Sequence, residues 1–512
     1  MLIKVFGAAV QGIDATLITI EVNSSRGCMF YLVGLPDSAV KESHQRIISA
    51  LQVNGYRMPT SNIVINMAPA DIRKEGAAYD LPLAIGILAA SEVIQSDKLE
   101  RYLLMGELSL DGSLQPIKGA LPIAIKAREL GFEGMIVPQQ NAHEAAVVNN
   151  LKVYGAGNIK EVIEFFNGTQ ELTPTLVNTR EEFYSQQSNF DFDFAEVKGQ
   201  ENVKRALEVA ASGSHNILLI GSPGSGKSML AKRLPSIHPP LSLGERLKTT
   251  SVHYVDGKLG KDGGLISKRP FRAPHHTIST VAMTGGGSFP QPGEISLAHN
   301  GILYLDELPE YSRNVLEVLR QPLEDRKITV SRIRCNVEYP ASFMLVASMN
   351  PCPCGYYTHP TKACVCSPGQ VQKYLNRISG PLLDRIDLQI EVTPLPFEEM
   401  ADSRPGESSA TIRERVIRAR QIQEARYADI PGIYCNAQMN SKLLARHARP
   451  DDKGLAMLKT AMNRLNLSAR AYDRILKVSR TIADLEGCEL IQPAHLAEAI
   501  GYRNLDREGW AG

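Results

Sequence analysis

The segment Gly221–Ser228, GSPGSGKS, has the G-x-x-x-x-G-K-S spacing of a phosphate-binding loop. It follows an apolar run, HNILLI, and precedes a predicted helix, which is the order that such a loop needs. Glycines let backbone N–H groups converge on phosphate oxygens, and the helix N-terminus adds a favourable dipole. We expect Lys227 to bridge the β- and γ-phosphates and the Ser228 hydroxyl to bind Mg²⁺. The predicted nucleotide contacts are Gly221, Ser222, Pro223, Gly224, Ser225, Gly226, Lys227, Ser228 and Met229.

Two further polar positions follow apolar runs downstream of this loop. The run GILYLDE ends in Asp306 and Glu307. Asp306 is predicted to hold Mg²⁺, directly or through water, and Glu307 to polarise the attacking water. The alternative for this pair is a surface acidic pair at a strand end. The run FMLVASMN ends in Asn350, which is a candidate sensor of the γ-phosphate.

Arg385 lies in the segment SGPLLDRIDL, on a predicted turn after a helix. It is too far along the chain to be assigned to its own nucleotide site. We interpret it as a candidate finger that reaches the γ-phosphate of a neighbouring subunit. The alternative is a structural ion cluster formed by Asp384, Arg385 and Asp387.

Four of the eight cysteines fall directly behind Asn350. They form two C-x-C pairs, Cys352 with Cys354 and Cys364 with Cys366. This spacing is compact enough for a tetrahedral site, so the prediction is a structural Zn²⁺, with reduced thiols as the alternative. His359 is a substitute ligand if one cysteine fails. The pair His275-His276 is better explained by plain polar contacts than by metal binding.

The 512 residues are too many for one core, and their composition is that of a soluble globular protein. The net charge of +1 means that any nucleic-acid site must be a local patch. The absence of a long apolar run and of a signal peptide predicts a cytoplasmic protein without membrane contact. We expect an N-terminal domain at 1–166, a linker at 167–190, an α/β core at 191–396 with a Cys-rich insert at 350–368, and a helical domain at 397–512.

The motifs of the phosphate loop, Asp306-Glu307, Asn350 and GPLLDRID, with the later SARAYDRILKVSRTIADL, resemble an AAA+ ATPase of the magnesium-chelatase-like branch. The match is closest to the bacterial ComM/YifB family and covers essentially the whole chain. The resemblance implies a P-loop αβα core with a helix-2 insert and a pre-sensor hairpin, a C-terminal helical lid and a hexameric ring. It places Gly199 and Gln200 beside the adenine. It makes Arg470 the lid's sensor arginine, with Arg474 as the alternative.

The segment EDRKITVSRIR predicts a basic hairpin. Its cationic residues are Arg326, Lys327, Arg332 and Arg334. In related ring helicases such a hairpin projects into the pore and follows nucleic-acid phosphates, so these residues are candidate DNA contacts. The alternative is a solvated hairpin whose charges protect its edges.

The N-terminal segment that begins at Met105 resembles the end of the Lon protease domain, which has the ribosomal S5 domain 2-like fold. That fold uses a serine–lysine dyad, but here Ala78 and Leu121 stand at the two positions. The resemblance therefore implies a Lon-like domain without peptidase chemistry, which acts as a docking or DNA-handling collar. Arg73 and Lys74 are candidates for such contacts.

Two classes of function remain open. The resemblance implies an ATP-driven DNA motor that catalyses branch migration during recombination or natural transformation, with DNA and a recombinase as partners. The alternative is a chelatase-type or protein-remodelling ATPase that does not act on DNA. A Lon-like N-terminal domain is not expected in a chelatase motor subunit, and Ala78 with Leu121 argues against an ATP-dependent protease. The cofactors are expected to be ATP and Mg²⁺ with a structural Zn²⁺.

Overall fold

The computed structural model describes residues 1–72, 74, 76–177, 190–257, 265–287, 290–332, 335–357, 359–395, 405–465 and 467–503. These residues form two compact units. The N-terminal unit takes the described residues of Met1–Ser185 and Leu243–Ile266, and the C-terminal unit those of Gln186–Ser242 and Ser267–Gly512. Arg73, Arg334 and most of the predicted linker lie outside the described residues. Within the described ranges, no helix has the length and apolarity needed to cross a membrane.

The described part of the N-terminal unit contains a seven-stranded mixed sheet. Its strands are β1 (Leu2–Gln11), β2 (Asp14–Ser25), β3 (Phe30–Val33), β4 (Asn62–Ala68), β5 (Tyr102–Leu104), β8 (Gly134–Pro138) and β9 (Lys152–Ala156), while β6 (Glu107–Leu108) and β7 (Leu114–Gln115) pair separately. The order across the sheet is β3-β4-β2-β1-β5-β8-β9. The β1–β2 and β2–β4 pairs are antiparallel, and the remaining pairs are parallel.

The helices of this unit pack around one that is buried on every side. They are Ser38–Val53, Asp80–Ala90, Ala120–Glu129, Gln139–Ala146, Ile159–Phe166 and Leu243–Val255. The helix Asp80–Ala90, DLPLAIGILAA, is apolar around its whole circumference, so it becomes the centre of the core. Leu247 lies in the same apolar cluster, so the helix Leu243–Val255 belongs to this unit although the sequence analysis assigned it to the ATPase core.

The C-terminal unit is built on a parallel five-stranded sheet within its described residues. Its strands are β10 (Ile217–Ile220), β11 (Phe271–Arg272), β14 (Ile302–Leu305), β17 (Met344–Met349) and β18 (Leu388–Glu391). The order is β11-β14-β17-β10-β18. Strands β10, β14 and β17 are wholly buried, which explains why they are continuous apolar runs without alternation. The predicted α/β core is confirmed in this coarse form.

Parallel strands bring their carboxyl ends to the same edge, and this edge collects the predicted site residues. The phosphate loop follows β10, Asp306 follows β14 and Asn350 follows β17. Because β17 lies between β10 and β14, Asn350 stands between the two halves of the site.

The C-terminal unit also contains two short hairpins and many helices. The hairpins pair β12 (Gly285–Gly286) with β13 (Gln291–Pro292) and β15 (Lys327–Arg332) with β16 (Cys335–Pro340). The helices are Glu201–Gly213, Lys227–Ile237, Thr280–Thr284, Glu294–Leu297, Arg313–Glu317, Arg320–Asp325, Pro368–Leu375, Gly380–Leu383, Ser409–Tyr427, Ser441–His447, Asp452–Leu465, Ala469–Leu485 and Pro493–Gly501. One apolar cluster joins the sheet to the last five of these helices through residues such as Leu219, Val416 and Ile482.

Candidate nucleotide-binding site and cysteine cluster

The phosphate loop connects the buried end of β10 to the N-terminus of the helix Lys227–Ile237. Gly226 has a φ of +95°, a left-handed conformation that favours glycine. At Gly221 the loop passes so close to the end of β18 that a Cβ atom would lie 2.3 Å from the carbonyl oxygen of Val392. The loop therefore has the close backbone packing that the spacing of its glycines predicts.

Lys227 is buried, and its side chain contacts the phosphate loop. Its Nζ donates hydrogen bonds to the carbonyl oxygens of Gly221 at 2.7 Å and Ser222 at 2.9 Å. A third bond joins Nζ to Oδ1 of Asn350 at 3.2 Å. Burial lowers the pKa of Lys227, and the charges of Asp306 and Glu307 oppose that shift. The ammonium group is thus held where a phosphate of a bound nucleotide would meet it.

Ser228 and Asp306, the two predicted Mg²⁺ ligands, are in direct contact. The Ser228 hydroxyl donates to Oδ2 of Asp306 at 2.9 Å. The Ser348 hydroxyl donates to the other carboxylate oxygen of Asp306, and the Tyr304 hydroxyl donates to Ser228 and Ser348, each at 3.1 Å. Burial acts to raise the pKa of Asp306, but these hydrogen bonds outweigh it and lower that pKa, so the carboxylate stays ionised.

Sequence reasoning missed Tyr304 and Ser348. Tyr304 stands two residues before Asp306 on β14, and Ser348 two residues before Asn350 on β17. Side chains alternate along a strand, so Tyr304 faces the same side as Asp306 and Ser348 the same side as Asn350. Both residues could have been found in the sequence, because each is a polar residue two positions before a predicted site residue.

Glu307 is oriented by a backbone in the left-handed region, with a φ of +54°. Its side chain is 55% exposed, and one carboxylate oxygen lies 3.6 Å from Nδ1 of His276. The rings of His275 and His276 lie 4.1 Å apart, centroid to centroid. The structure therefore places His276 beside the residue predicted to polarise water, where the sequence indicated only a plain polar contact.

Gly199 and Gln200, predicted to lie beside the adenine, precede the helix Glu201–Gly213. Gln200 donates from Nε2 to the carbonyl oxygen of Ser225 at 2.9 Å and to that of Thr393 at 3.2 Å. It therefore connects the phosphate loop to the chain that leaves β18. Met229, predicted to contact nucleotide, is partly exposed on the first turn of the helix that follows the loop.

The three predicted arginines have separate carboxylate partners. Arg385 is buried and contacts Glu324, with Nη2 and Oε1 2.6 Å apart, and it donates to the carbonyl oxygen of Pro381. Arg470 is 60% exposed and lies 3.7 Å from Asp384, whereas Arg474 lies 3.0 Å from buried Asp387. Asp384 and Asp387 therefore lie near arginines of the helix Ala469–Leu485, whereas Arg385 pairs with Glu324.

The four cysteines of the predicted zinc site converge. Their sulfur atoms all lie within 4.8 Å of one another. The contacts of Cys352 with Cys354 and Cys364 measure 3.3 and 3.7 Å, and Cys354 lies 3.5 Å from Cys364. Tetrahedral Zn²⁺–thiolate bonds of about 2.3 Å place ligand sulfurs about 3.8 Å apart, so the four side chains fit this metal. The Tyr357 N–H also points at Cys352 Sγ, at 3.4 Å.

His359, considered as a substitute ligand, is used differently. Its Nδ1 accepts hydrogen bonds from the backbone N–H groups of Thr361 at 3.2 Å and Lys362 at 3.0 Å. Among the described residues, the only other cluster with metal-binding side chains comprises Glu486, Cys488 and His495. There, Nδ1 of His495 accepts from the Gln492 N–H at 3.0 Å, which leaves the proton on Nε2 facing Glu486 and argues against a metal.

The predicted hairpin is present, but its basic residues differ in position. Lys327 begins β15 and lies 2.8 Å from Glu338 on β16. Arg326 lies at the C-terminus of the preceding helix with a φ of +57°, and its guanidinium is 3.4 Å from the Ser342 hydroxyl. Arg332 ends β15 next to the turn, and Arg334 lies outside the described residues. Their contacts with DNA stay a prediction.

The parallel sheet, the phosphate loop and the Ser228–Asp306 contact are the features of a P-loop nucleotide-binding core. Residues 193–400 match the family described as Magnesium chelatase, subunit ChlI, and residues 406–503 match its C-terminal part. Residues 20–141 match a model described as Subunit ChlI of Mg-chelatase.

Relatives resemble the chain over its whole length. Competence protein ComM of Haemophilus influenzae is 45% identical over 98% of this chain and 97% of its own. Uncharacterized protein YifB of Escherichia coli is 42% identical over 98% and 96%. The chain belongs to the ComM/YifB family of magnesium-chelatase-like AAA+ proteins.

The likeness to chelatase subunits is narrower. The Magnesium-chelatase 38 kDa subunit of Chlorobaculum parvum is 26% identical over 31% of this chain and 53% of its own. Residues 20–141 match a family that is also named for a chelatase subunit, whereas the sequence analysis expected the N-terminal domain to distinguish this chain from chelatase motor subunits. This chain matches the ComM relative over 98% of its length, but this chelatase subunit over only 31%.

Proposed function

We propose that the protein is an ATP-driven motor that acts on DNA as a homo-hexamer and catalyses branch migration. The observation that carries this proposal is the full-length likeness to a competence protein, supported by the contacts of Lys227 with Asn350 and of Ser228 with Asp306. Competence is the uptake of DNA, and a motor that moves strand-exchange junctions serves it. Membership of the family supports the ATPase class. The action on DNA is the part of the proposal that goes beyond the family.

Each site residue has one role in the proposed hydrolysis. Ser228 and Asp306 would hold Mg²⁺, which neutralises charge on the phosphates when bound. Lys227 exchanges its loop carbonyls for phosphate oxygens, and Asn350 moves with it as the sensor. Glu307 accepts the proton of the attacking water, and the neighbouring His276 orients its carboxylate.

The arginines complete the site between subunits. Arg385 acts in trans on the γ-phosphate bound by the next subunit, which requires it to exchange Glu324 for phosphate. Arg470 is the more exposed lid arginine and is free to reach its own nucleotide, whereas Arg474 is committed to Asp387. Gly199 and Gln200 contact the adenine. Lys327 and Arg332 of the hairpin, with Arg326 and Arg334 beside it, contact DNA phosphates.

The remaining features have supporting roles. The four cysteines hold one Zn²⁺ with no open coordination position, so the metal is structural. The N-terminal unit is a Lon-like collar without peptidase chemistry, which agrees with the apolar side chains of Ala78 and Leu121.

A chelatase-type function is the second candidate, because all three matched families are named for magnesium chelatase. One experiment separates the two. ATP hydrolysis by the purified full chain is measured without DNA and with linear duplex, single strands and a four-way junction, with Lys227→Ala as the control. Stimulation that is strongest with the junction supports branch migration. A rate that no DNA changes overturns action on DNA.

A further inference from the structure

The cysteine cluster and the phosphate loop are in direct contact. Gly355, between the two C-x-C pairs, has a φ of +82°. A Cβ atom at this position would lie 2.4 Å from Cδ and 2.7 Å from Cγ of Pro223. The backbone of the cysteine segment therefore packs on the ring of Pro223, which is the third residue of the phosphate loop. Only a residue without a side chain fits this approach.

The same segment touches the nucleotide site at two more points. At its start, the side chain of Asn350 accepts the hydrogen bond from Lys227. Further along, Pro351 and Tyr357 line a small cavity of about 20 Å³ that Gly221 and Ser222 also line. Residues 350–357 thus lie against the base of the phosphate loop, its third residue and its lysine.

This segment has little regular structure of its own. Residues 351–357 form turns and bends without a helix or a strand. A hydrogen bond from the Gly355 N–H to the Cys352 carbonyl oxygen, at 3.0 Å, closes one turn, and Cys352 itself is fully buried. The segment meets the second cysteine pair where the four sulfur atoms converge. A metal that crosslinks them removes conformational freedom from the segment that supports the phosphate loop.

We propose that metal binding by Cys352, Cys354, Cys364 and Cys366 controls nucleotide affinity, because the crosslinked segment holds the phosphate loop in place through Gly355 and Pro223. The inference rests on the zinc site proposed above and adds a function to it. The cluster is then a regulatory site at which a thiophilic metal sets ATP and ADP binding. A metal site that only stabilised the fold would leave nucleotide affinity unchanged.

The first test removes the metal. The metal content of the full chain is measured by mass spectrometry, and the dissociation constant of a fluorescent ADP analogue is measured before chelation, after it and after Zn²⁺ is returned, with Mg²⁺ in excess throughout. We expect one zinc per chain, an affinity about tenfold weaker after removal, and recovery. A chain without metal overturns both the zinc site and this inference. Zinc whose removal leaves ADP affinity unchanged overturns the inference alone.

The matched variants Cys354→Ser and Cys28→Ser repeat the test without a chelator. Cys28 is an exposed cysteine of the N-terminal unit, so its substitution controls for the loss of a thiol. We expect Cys354→Ser to lose both the metal and the ADP affinity, and Cys28→Ser to keep both. Equal ADP affinity in the two variants would contradict the coupling.

The second test changes the contact and keeps the cysteines. Gly355→Ala drives a methyl group into Pro223, whereas Gly432→Ala has a similar backbone, with a φ of +80°, and no atom within 4 Å of the new methyl. We expect Gly355→Ala to keep its zinc and bind ADP about tenfold more weakly, with Gly432→Ala unchanged. Adding Pro223→Ala to Gly355→Ala should restore part of the affinity. ADP affinity that is the same in Gly355→Ala and Gly432→Ala would reject the proposed contact as the link.

Discussion

Asp80 in the N-terminal unit and Lys227 in the C-terminal unit are both buried, but their partners differ in kind. In the N-terminal unit, buried Asp80 makes two bonds to Arg46, at 2.7 and 2.9 Å, and accepts the Leu108 N–H at 3.2 Å. In the C-terminal unit, buried Lys227 is held by carbonyls of its own loop and by Asn350. Asp80 is paired with a cation within the fold, whereas the hydrogen bonds of Lys227 go to neutral groups, which the proposed function requires a phosphate to replace.

Glu144 is a second buried acidic side chain of the N-terminal unit. It accepts the Leu121 N–H at 2.9 Å and a bond from Asn141 at 3.1 Å, and burial raises its pKa. It therefore caps the helix that begins at Ala120, next to the position where the Lon resemblance expects a lysine. Burial of a charge is thus not evidence of catalysis, and the exchangeability of its partners is the better criterion.

The largest effect is expected from Lys227→Ala. Removing the ammonium group takes away the cation that meets the phosphates, so we expect ATP hydrolysis to fall at least about a hundredfold and nucleotide binding to weaken. Steady-state hydrolysis and ADP titration measure the two effects. Lys232→Ala, an exposed lysine on the same helix, is the control. Equal loss in both variants would show that the effect is not specific to the buried ammonium group of Lys227.

Glu307→Gln should separate chemistry from binding. The amide cannot accept the proton of water, so we expect hydrolysis to fall by about a hundredfold while ATP binding is kept. Single-turnover hydrolysis and ATP titration test this. Glu310→Gln, which alters an exposed ion pair with Arg377, should leave both unchanged. Loss of ATP binding in Glu307→Gln would argue that Glu307 shapes the site and does not act on water.

Asp80→Ala should affect stability and leave the chemistry intact. It leaves Arg46 without its buried partner, which costs about 3–5 kcal/mol in comparable cases. Hydrogen exchange of the peptides covering Asp80–Ala90, followed by mass spectrometry, should show faster exchange there. Glu42→Ala is the control, because Glu42 is exposed and lies 4.0 Å from the same arginine, so it should cost less than about 1 kcal/mol. If hydrogen exchange in Asp80→Ala were as slow as in the parent protein, the Asp80–Arg46 pair would contribute little to stability.

The smallest expected effect is on the pH dependence of stability, and it involves Lys477, a partly buried lysine of the C-terminal unit. Lys477 donates to the Ala437 carbonyl oxygen at 3.0 Å, and burial lowers its pKa to about 8. A lysine in an unfolded chain titrates near about 10.4. Between these values the unfolded chain holds a proton that the folded protein has released, so the Lys477 contribution makes stability rise with pH in that window.

Lys477→Met removes this contribution. The gain in unfolding free energy over the parent protein, measured by urea unfolding, should be larger near pH 7.5 than near pH 10, by on the order of 1 kcal/mol. Lys459→Met, at an exposed position, should show no such difference. A difference of the opposite sign would show that Asp387 and the neighbouring groups outweigh burial.

Much of the nucleotide site could be predicted from short stretches of sequence. The phosphate loop, Asp306-Glu307 and Asn350 each follow an apolar run, and the structure places all three at one edge of one sheet. The cysteine pairs converge as their spacing predicts. These predictions succeed because each motif depends on local geometry: a strand, a turn and the few residues that the turn exposes.

The partners of these residues could not be predicted in the same way. Tyr304 and Ser348 bind Ser228 and Asp306 because β14 and β17 are neighbours, and strand order depends on the whole core. Arg385 pairs with Glu324, although Asp384 and Asp387 are closer in sequence. Arg326, predicted as a hairpin cation, lies at a helix end because that helix continues to Asp325.

The amino-acid sequence by itself determined the class of protein, the candidate nucleotide-binding residues and the presence of four clustered thiols, because these lie in contiguous motifs. Only the tertiary structure decided that the helix Leu243–Val255 joins the N-terminal core, and that Gly355 packs on Pro223. Both contacts join segments separated by many residues in the chain. They arise from the packing of surfaces that no local periodicity describes, which is why the link from the cysteine cluster to the phosphate loop became visible only in three dimensions.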